Sequence, residues 1–218
     1  MAFPYRDRCE AGRRLGAAVA ALGPWRRPLV LGLPRGGVPV AAEVARAVGG
    51  ELDAIVVRKI GAPGQEELAI GAVAAGGGLV INEAIVASLG LAPAVIAALV
   101  AGERRELERR ERVLRGDRPF PDVRGREVIL VDDGIATGAT MRAAVEAVAA
   151  RRPVRLVVAA PVGPLDANGG FGPGVDAVVV PERPVWFGAV GEGYCDFRPV
   201  EDAEVRALLG AGALAPGE

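Results

Sequence analysis

The chain has 218 residues, a formal net charge of −1, a sequence pI near 5.8 and 51% hydrophobic residues. That length buries a sizeable core as one domain, and the near-balanced charge leaves no basic face for nucleic acid. With no histidine, a single serine (Ser88, outside any G-x-S-x-G setting) and two isolated cysteines (Cys9, Cys195), imidazole bases, His-ligated metals, Ser-His-Asp hydrolysis and CxxC sites are excluded. The first residues, Met1-Ala2-Phe3-Pro4-Tyr5-Arg6, lack a signal-peptide layout, and the apolar stretch Leu91 to Ala101 is too short to span a bilayer. A cytoplasmic protein without a membrane partner is expected.

In chain order, Glu10 to Leu22 predicts a helix ended by the turn Gly23-Pro24. Leu29-Val30-Leu31-Gly32-Leu33 reads as a short core strand. Arg35-Gly36-Gly37 permits an unusual backbone, and Val40, Val44 and Val48 begin a helix. By itself this glycine spacing also fits an ordinary tight turn. A strand over Leu52 to Val57 leads to Arg58 and Lys59. Lys59 is the single lysine among 26 basic residues, a mobile point charge in a chain that otherwise uses the rigid arginine fork. It is either a solvated charge at a strand end or a working group.

Gly61 to Glu67 has the composition of a mobile flap. Ala69 to Val73 and Leu79 to Asn82, on either side of Gly76-Gly77-Gly78, predict a hairpin that extends it. Pro93 to Arg115 predicts a long helix with Glu106/Arg110, Glu108/Arg112 and Glu111/Arg115 at i, i+4 spacing. Its charges read as a solvated face. A subunit contact or a lid is the alternative, because the helix exceeds what a crossover needs. Asp117 to Gly125 is a Pro-rich connection.

The most informative segment is Val128 to Thr140, which holds both threonines of the chain. Val128 to Val131 suits a parallel-sheet interior, and Met141, Val145 and Val148 mark a helix that follows. The loop Gly134-Ile135-Ala136-Thr137-Gly138-Ala139-Thr140 therefore feeds a helix N-terminus. Its unpartnered N–H groups, the helix dipole and two hydroxyls make a phosphate seat. Asp132 and Asp133 would repel a polyphosphate laid across them but accept hydrogen bonds from sugar hydroxyls. Ribose 5-phosphate satisfies both halves. A P-loop needs a lysine where Ala139 stands. Helix capping alone would be met by one aspartate.

Arg155 to Ala160 predicts another core strand, Gly163 to Gly174 a Gly/Pro-rich loop, and Val175 to Val180 a last strand. Trp186, Phe187, Tyr194 and Phe197 then cluster in a chain with nine aromatic residues. Such rings stack on flat bases, or they form a small core that anchors the C-terminal segment. Residues 210–218 read as a frayed tail.

Val128 to Thr140 resembles the phosphoribosyl-diphosphate (PRPP) signature of type I phosphoribosyltransferases. Leu33-Pro34-Arg35-Gly36-Gly37 with Val38-Pro39-Val40 resembles the pyrophosphate loop of that family. The chain from Phe3-Pro4-Tyr5-Arg6-Asp7-Arg8 to Asp202-Ala203-Glu204-Val205 is similar to a bacterial subgroup whose acceptor is unassigned. The resemblance implies an α/β fold: an open, mainly parallel twisted sheet flanked by helices, with a small hood or flap. One domain over 1–209 is expected, with a flexible flap at about 59–78 and a base-side segment at about 181–200.

It implies that Asp132 and Asp133 hold the ribose hydroxyls, that Ala136 to Thr140 wrap the 5-phosphate, and that Arg35 with Gly36-Gly37 contacts the diphosphate. A cis Pro34–Arg35 bond is implied as well. Arg58 and Lys59 are expected to close over the diphosphate, and Trp186, Phe187 and Asp196 to meet the base. Relatives acting on 6-oxopurines often carry a third aspartate where Ala136 stands, so hypoxanthine and guanine are disfavoured. The implied reaction displaces diphosphate from PRPP by a nitrogen of a heterocyclic base, with Mg²⁺ carried mainly by PRPP rather than by a protein site. A homodimer is common for the fold. Two alternatives stay open: a regulatory protein that binds PRPP without turning it over and, less well supported, a dinucleotide-binding oxidoreductase, which the missing G-x-G-x-x-G disfavours.

Overall fold

The computed structural model describes residues 5–166 and 170–212. Phe3-Pro4 of the resemblance, residues 167–169 of the Gly163 to Gly174 loop and residues 213–218 of the tail lie outside the described residues. Helix α1 (Arg8–Ala20) is capped by Asp7, whose side chain accepts the Glu10 N–H at 2.8 Å, while the Glu10 carboxylate accepts the Arg6 N–H just before the cap at 2.8 Å. Strand β1 (Leu29–Gly32), helix α2 (Gly37–Val48) and strand β2 (Glu51–Ala54) form the first parallel unit.

The chain then leaves this sheet. Strands β3 (Val57–Ala62), β4 (Gln65–Ala74) and β5 (Gly78–Ile81) make a separate antiparallel sheet in the order β3-β4-β5. The hairpin predicted around Gly76-Gly77-Gly78 is β4–β5. Lys59, however, does not sit at the end of a Leu52–Val57 strand. Ile55-Val56 break that run, and Lys59 lies within β3, opposite Ala72. The apolar run hid the break because Leu52 to Val56 are buried throughout.

Helix α3 (Glu83–Ser88) is short, and Asn82 caps it by accepting the Ile85 N–H. Helix α4 (Pro93–Arg115) has the predicted bounds, with Pro93 in its first turn and Gly116 at φ 63° after its end. Strand β6 (Glu127–Val131), helix α5 (Ala139–Ala149), strands β7 (Arg155–Ala159) and β8 (Ala177–Val179) and helix α6 (Asp202–Gly212) complete the chain. Helix α6 runs through Gly212, into the stretch expected to fray.

The main sheet is parallel throughout in the order β2-β1-β6-β7-β8. Period-two alternation splits its side chains between two cores. Val30, Ile129, Val131, Val157 and Ala159 face α1, α2 and α6, whereas Leu29, Leu31, Val128, Leu130, Leu156 and Val158 face α5. Register places Gly32 level with Ala54 on one side and Val131 on the other. The loops after β1 and β6 thus emerge side by side at the carboxyl edge, where open α/β sheets bind ligands. Among the described residues no helix is long and apolar enough to cross a membrane.

Candidate active site

The two loops touch. Leu33 N–H donates to the Val131 carbonyl at 2.8 Å, and the Pro34–Arg35 peptide bond is cis, as the resemblance implied. A Cβ added at Gly36 would stand 2.0 Å from Asp133 Oδ2, and one at Gly37 would stand 2.7 Å from the Val131 carbonyl oxygen. Glycine is required at Gly37, where the β6 backbone fills the space, and any side chain at Gly36 has to displace the Asp133 carboxylate.

Asp132 and Asp133 are half-buried. Asp133 N–H donates to Asp132 Oδ1 at 2.9 Å, while Arg8 donates to Asp133 Oδ2 from Nε at 2.9 Å and approaches it with Nη2 at 2.8 Å. Burial pushes both carboxyls above the usual aspartate range. For Asp132 the charge of Asp133 adds to the rise, and for Asp133 the Arg8 guanidinium opposes it. Among the described residues the pair has one cationic side chain bonded to it, Arg8 on Asp133.

Beyond it, Ile135 N–H is taken by the Val162 carbonyl, and Gly138 at φ 71° opens α5. Among the described residues nothing accepts from the N–H groups of Ala136, Thr137 or Gly138. The Thr137 hydroxyl accepts from Ala139 N–H at 3.4 Å. Ala136, Thr137, Ala139 and Thr140 are open to solvent. Asp132 to Met141 and Val190 line a cavity of about 220 Å³. Its unfilled donors lie at a helix N-terminus, which is the physical description of an anion seat.

A second cavity, about 320 Å³, is walled by Leu33-Pro34-Arg35, Ile55 to Val57, Thr140, Asp202 and the α4 residues Arg109, Arg110, Val113 and Leu114. Thr140 lines both cavities. Arg35 lies 3.6 Å from Asp202, both about half-exposed.

Other predicted residues are placed differently. Arg58 donates to Glu103 of α4 at 2.8 Å, and Lys59 is exposed on β3; neither lines either of these two cavities. Trp186 is 83% exposed, Phe187 packs beside Tyr5, Ala11, Val162 and Tyr194, and Asp196 accepts the Arg198 N–H at 3.1 Å. Val190 reaches the first cavity instead. On α4, Glu106/Arg110 and Glu111/Arg115 pair as expected. Glu108/Arg112 is not among the ion pairs of the described residues, and Arg115 departs from the solvated face, being buried against Asp53 at 2.9 Å.

Arg8 was invisible as a site residue in the sequence. Its guanidinium lies 4.0 Å from the Phe197 ring centre, which in turn stacks on Tyr194 at 5.0 Å, and Nη1 donates to the Arg198 carbonyl. The Tyr194 hydroxyl donates to the Asp133 carbonyl. Chain segments far apart in sequence, Arg8 by 125 positions and Tyr194 by 61, thereby converge on the acidic pair.

A parallel sheet with two such loops at its carboxyl edge defines a class of α/β proteins that seat a phosphorylated ligand there. The phosphoribosyl transferase domain model matches residues 10–171. A Mycobacterium tuberculosis H37Rv protein, provisionally named a phosphoribosyl transferase, is 44% identical over 206 residues, 94% of this chain and 46% of that protein. The chain spans about half the length of the curated relatives it matches. The crystal structure of TT1426 from Thermus thermophilus is 45% identical with a TM-score of 0.84, covering 94% of this chain and 97% of that one. A Neisseria gonorrhoeae hypothetical protein, crystallised with bound ppGpp, shares the fold at 13% identity and a TM-score of 0.50, over 97% of this chain and 99% of its own. The chain belongs to the phosphoribosyl transferase domain family, with the type I phosphoribosyltransferase fold.

Proposed function

We propose that the protein transfers the 5-phosphoribosyl group of PRPP to a nitrogen of a heterocyclic base and releases diphosphate. The observation that carries this reading is the open run of N–H groups at Ala136, Thr137 and Gly138, directly after two adjoining carboxylates. The run binds the 5-phosphate, and Asp132 and Asp133 accept from the ribose 2- and 3-hydroxyls. With both ends of the sugar held, the anomeric carbon is fixed for displacement, so positioning supplies much of the rate. Arg35, on a loop whose glycines bring backbone close, meets the diphosphate, and Lys59 and Arg58 approach it as the β3–β4 flap closes. Closing requires Arg58 to exchange Glu103 for the ligand.

The transition state is cation-like, and the paired carboxylates stabilise its developing charge. Mg²⁺ fits this donor set. Asp132 and Asp133 are the residues that would hold the ion beside PRPP oxygens. When bound, it neutralises the leaving diphosphate. Trp186, Phe187 and Asp196 belong to a segment that would have to fold inward to meet the acceptor, and Ala136 argues against 6-oxopurines.

Incubation with PRPP, Mg²⁺ and a panel of bases, read by mass spectrometry, tests the proposal. One base class is expected to yield its nucleotide with equimolar diphosphate. Retained PRPP binding without product or diphosphate would overturn the transferase in favour of a regulatory PRPP-binding protein. Undiminished PRPP binding by Asp132→Asn with Asp133→Asn would overturn both.

A further inference from the structure

We propose that helix α4 supplies the diphosphate-binding wall of the site, through Arg109 and Arg110. This rests on the PRPP reading and adds to it residues outside both loops that carry the family resemblance. Three arginines, Arg35, Arg109 and Arg110, and one acidic residue, Asp202, are the charged residues that line the second cavity. The cavity meets the phosphate seat at Thr140, so an anion there lies within the reach of one ligand extending from the α5 N-terminus.

The two α4 arginines are prepared for such a ligand. Glu106, one turn back, accepts Arg109 Nε at 2.8 Å and Nη2 at 2.9 Å, and Arg110 Nε at 2.9 Å. Those hydrogen bonds hold the Glu106 carboxyl down at about 2, so it stays ionised at neutral pH and remains the shared partner of both forks. Among the described residues nothing accepts from Nη1 of Arg109 or from either Nη of Arg110. Pre-oriented guanidinium forks with spare N–H groups match phosphate oxygens in paired fashion. Among the described residues the Arg35 side chain is paired with Asp202 alone, through a 3.6 Å, half-exposed contact that a diphosphate readily displaces. The excess length of α4 over a crossover is thereby given a use: it carries these two side chains across the mouth of the β1 loop.

Calorimetric titration of the whole protein with inorganic diphosphate, PRPP and ribose 5-phosphate tests the assignment. Arg109→Ala with Arg110→Ala changes exposed side chains on a helix face and is expected to leave the fold intact, which circular dichroism checks. It should weaken diphosphate and PRPP at least tenfold and leave ribose 5-phosphate within twofold. The double Lys variant should fall between, because charge persists while the fork is lost. PRPP and diphosphate affinities within twofold of the parent in the double Ala variant would overturn the α4 wall while leaving the PRPP site standing. If the parent binds diphosphate in an Arg109/Arg110-dependent way but neither sugar phosphate, the wall stands and the PRPP reading falls. Failure of the parent to bind diphosphate would overturn the wall itself.

Discussion

The acidic and basic sides of the site are built on different principles. On the acidic side, Gly36, Gly37, Asp132 and Asp133 follow two buried, hydrogen-bonded strands, and a Cβ would meet the Asp133 carboxylate at Gly36 and the β6 backbone at Gly37. On the proposed basic side, Arg109 and Arg110 are set by ion pairs on the surface of α4, as is Arg58 of β3 by Glu103, and the end of α4 is fixed by Arg115 in the core. Steric over-determination gives a fixed acceptor pair, whereas surface ion pairs give cations that can change partners. A site that must grip one part of a ligand and release another gains from both.

The comparison can be broken first at the α4 anchor. Arg115 and Asp53 have side chains 1% and 8% exposed, and burial raises the Asp53 carboxyl while Arg115 opposes the rise. Arg115→Ala strands that carboxylate and is expected to cost about 3–5 kcal/mol in urea unfolding. A cost under about 1 kcal/mol would show that α4 is held by its apolar contacts instead. Next, Gly36→Ala is expected to lose about 1–3 kcal/mol by overpacking and to abolish PRPP binding, because its Cβ displaces Asp133. Retained binding would mean that the acidic side is less rigid than its sterics require.

A third test separates stability from binding. Carboxyls raised by burial, and at Asp132 also by the charge of Asp133, make the charged pair a cost to the folded state at neutral pH. That cost is present above their raised folded values and vanishes as pH falls to the ordinary aspartate range, where both states are protonated. Asp132→Asn should therefore melt above the parent at pH 7, the gap closing toward pH 4, while PRPP affinity drops at least tenfold. A variant that melts below the parent at pH 7 would sink the account. The smallest expected effect on stability is from Lys59→Ala, within about 0.5 kcal/mol of the parent. Its turnover should nonetheless fall at least tenfold, and unchanged kcat would remove Lys59 from the chemistry.

Periodicity and end signals made the parallel unit legible. Val128 to Val131 announced a buried strand, Pro93 to Arg115 gave the bounds of α4, and the Gly134 to Thr140 loop was read as feeding the N-terminus of α5. What was not legible depended on contacts distant in sequence. Arg8 meets Asp133 across 125 positions, and nothing local distinguishes it from the other arginines. The move from β2 into a second sheet was masked because Ile55 and Val56 are as buried as the end of β2 and continue its apolar run. Helix α3 is too short for periodicity to register. Helix α6 carried a usable signal that went unread: Asp202 and Glu204 in its first turn, then Val205 and Leu209 four apart, both buried in the core.

The settings of the two tryptophans supply an optical consequence. Trp25 is pinned away from the loops, its Nε1 donating to the Val19 carbonyl and its ring covered by Arg155 at 4.1 Å, while Trp186 stands in water. Trp25→Phe would leave Trp186 as an intrinsic fluorescent beacon, and a blue shift of its emission on adding PRPP and a base would time the inward folding of the 181–200 segment without any attached dye.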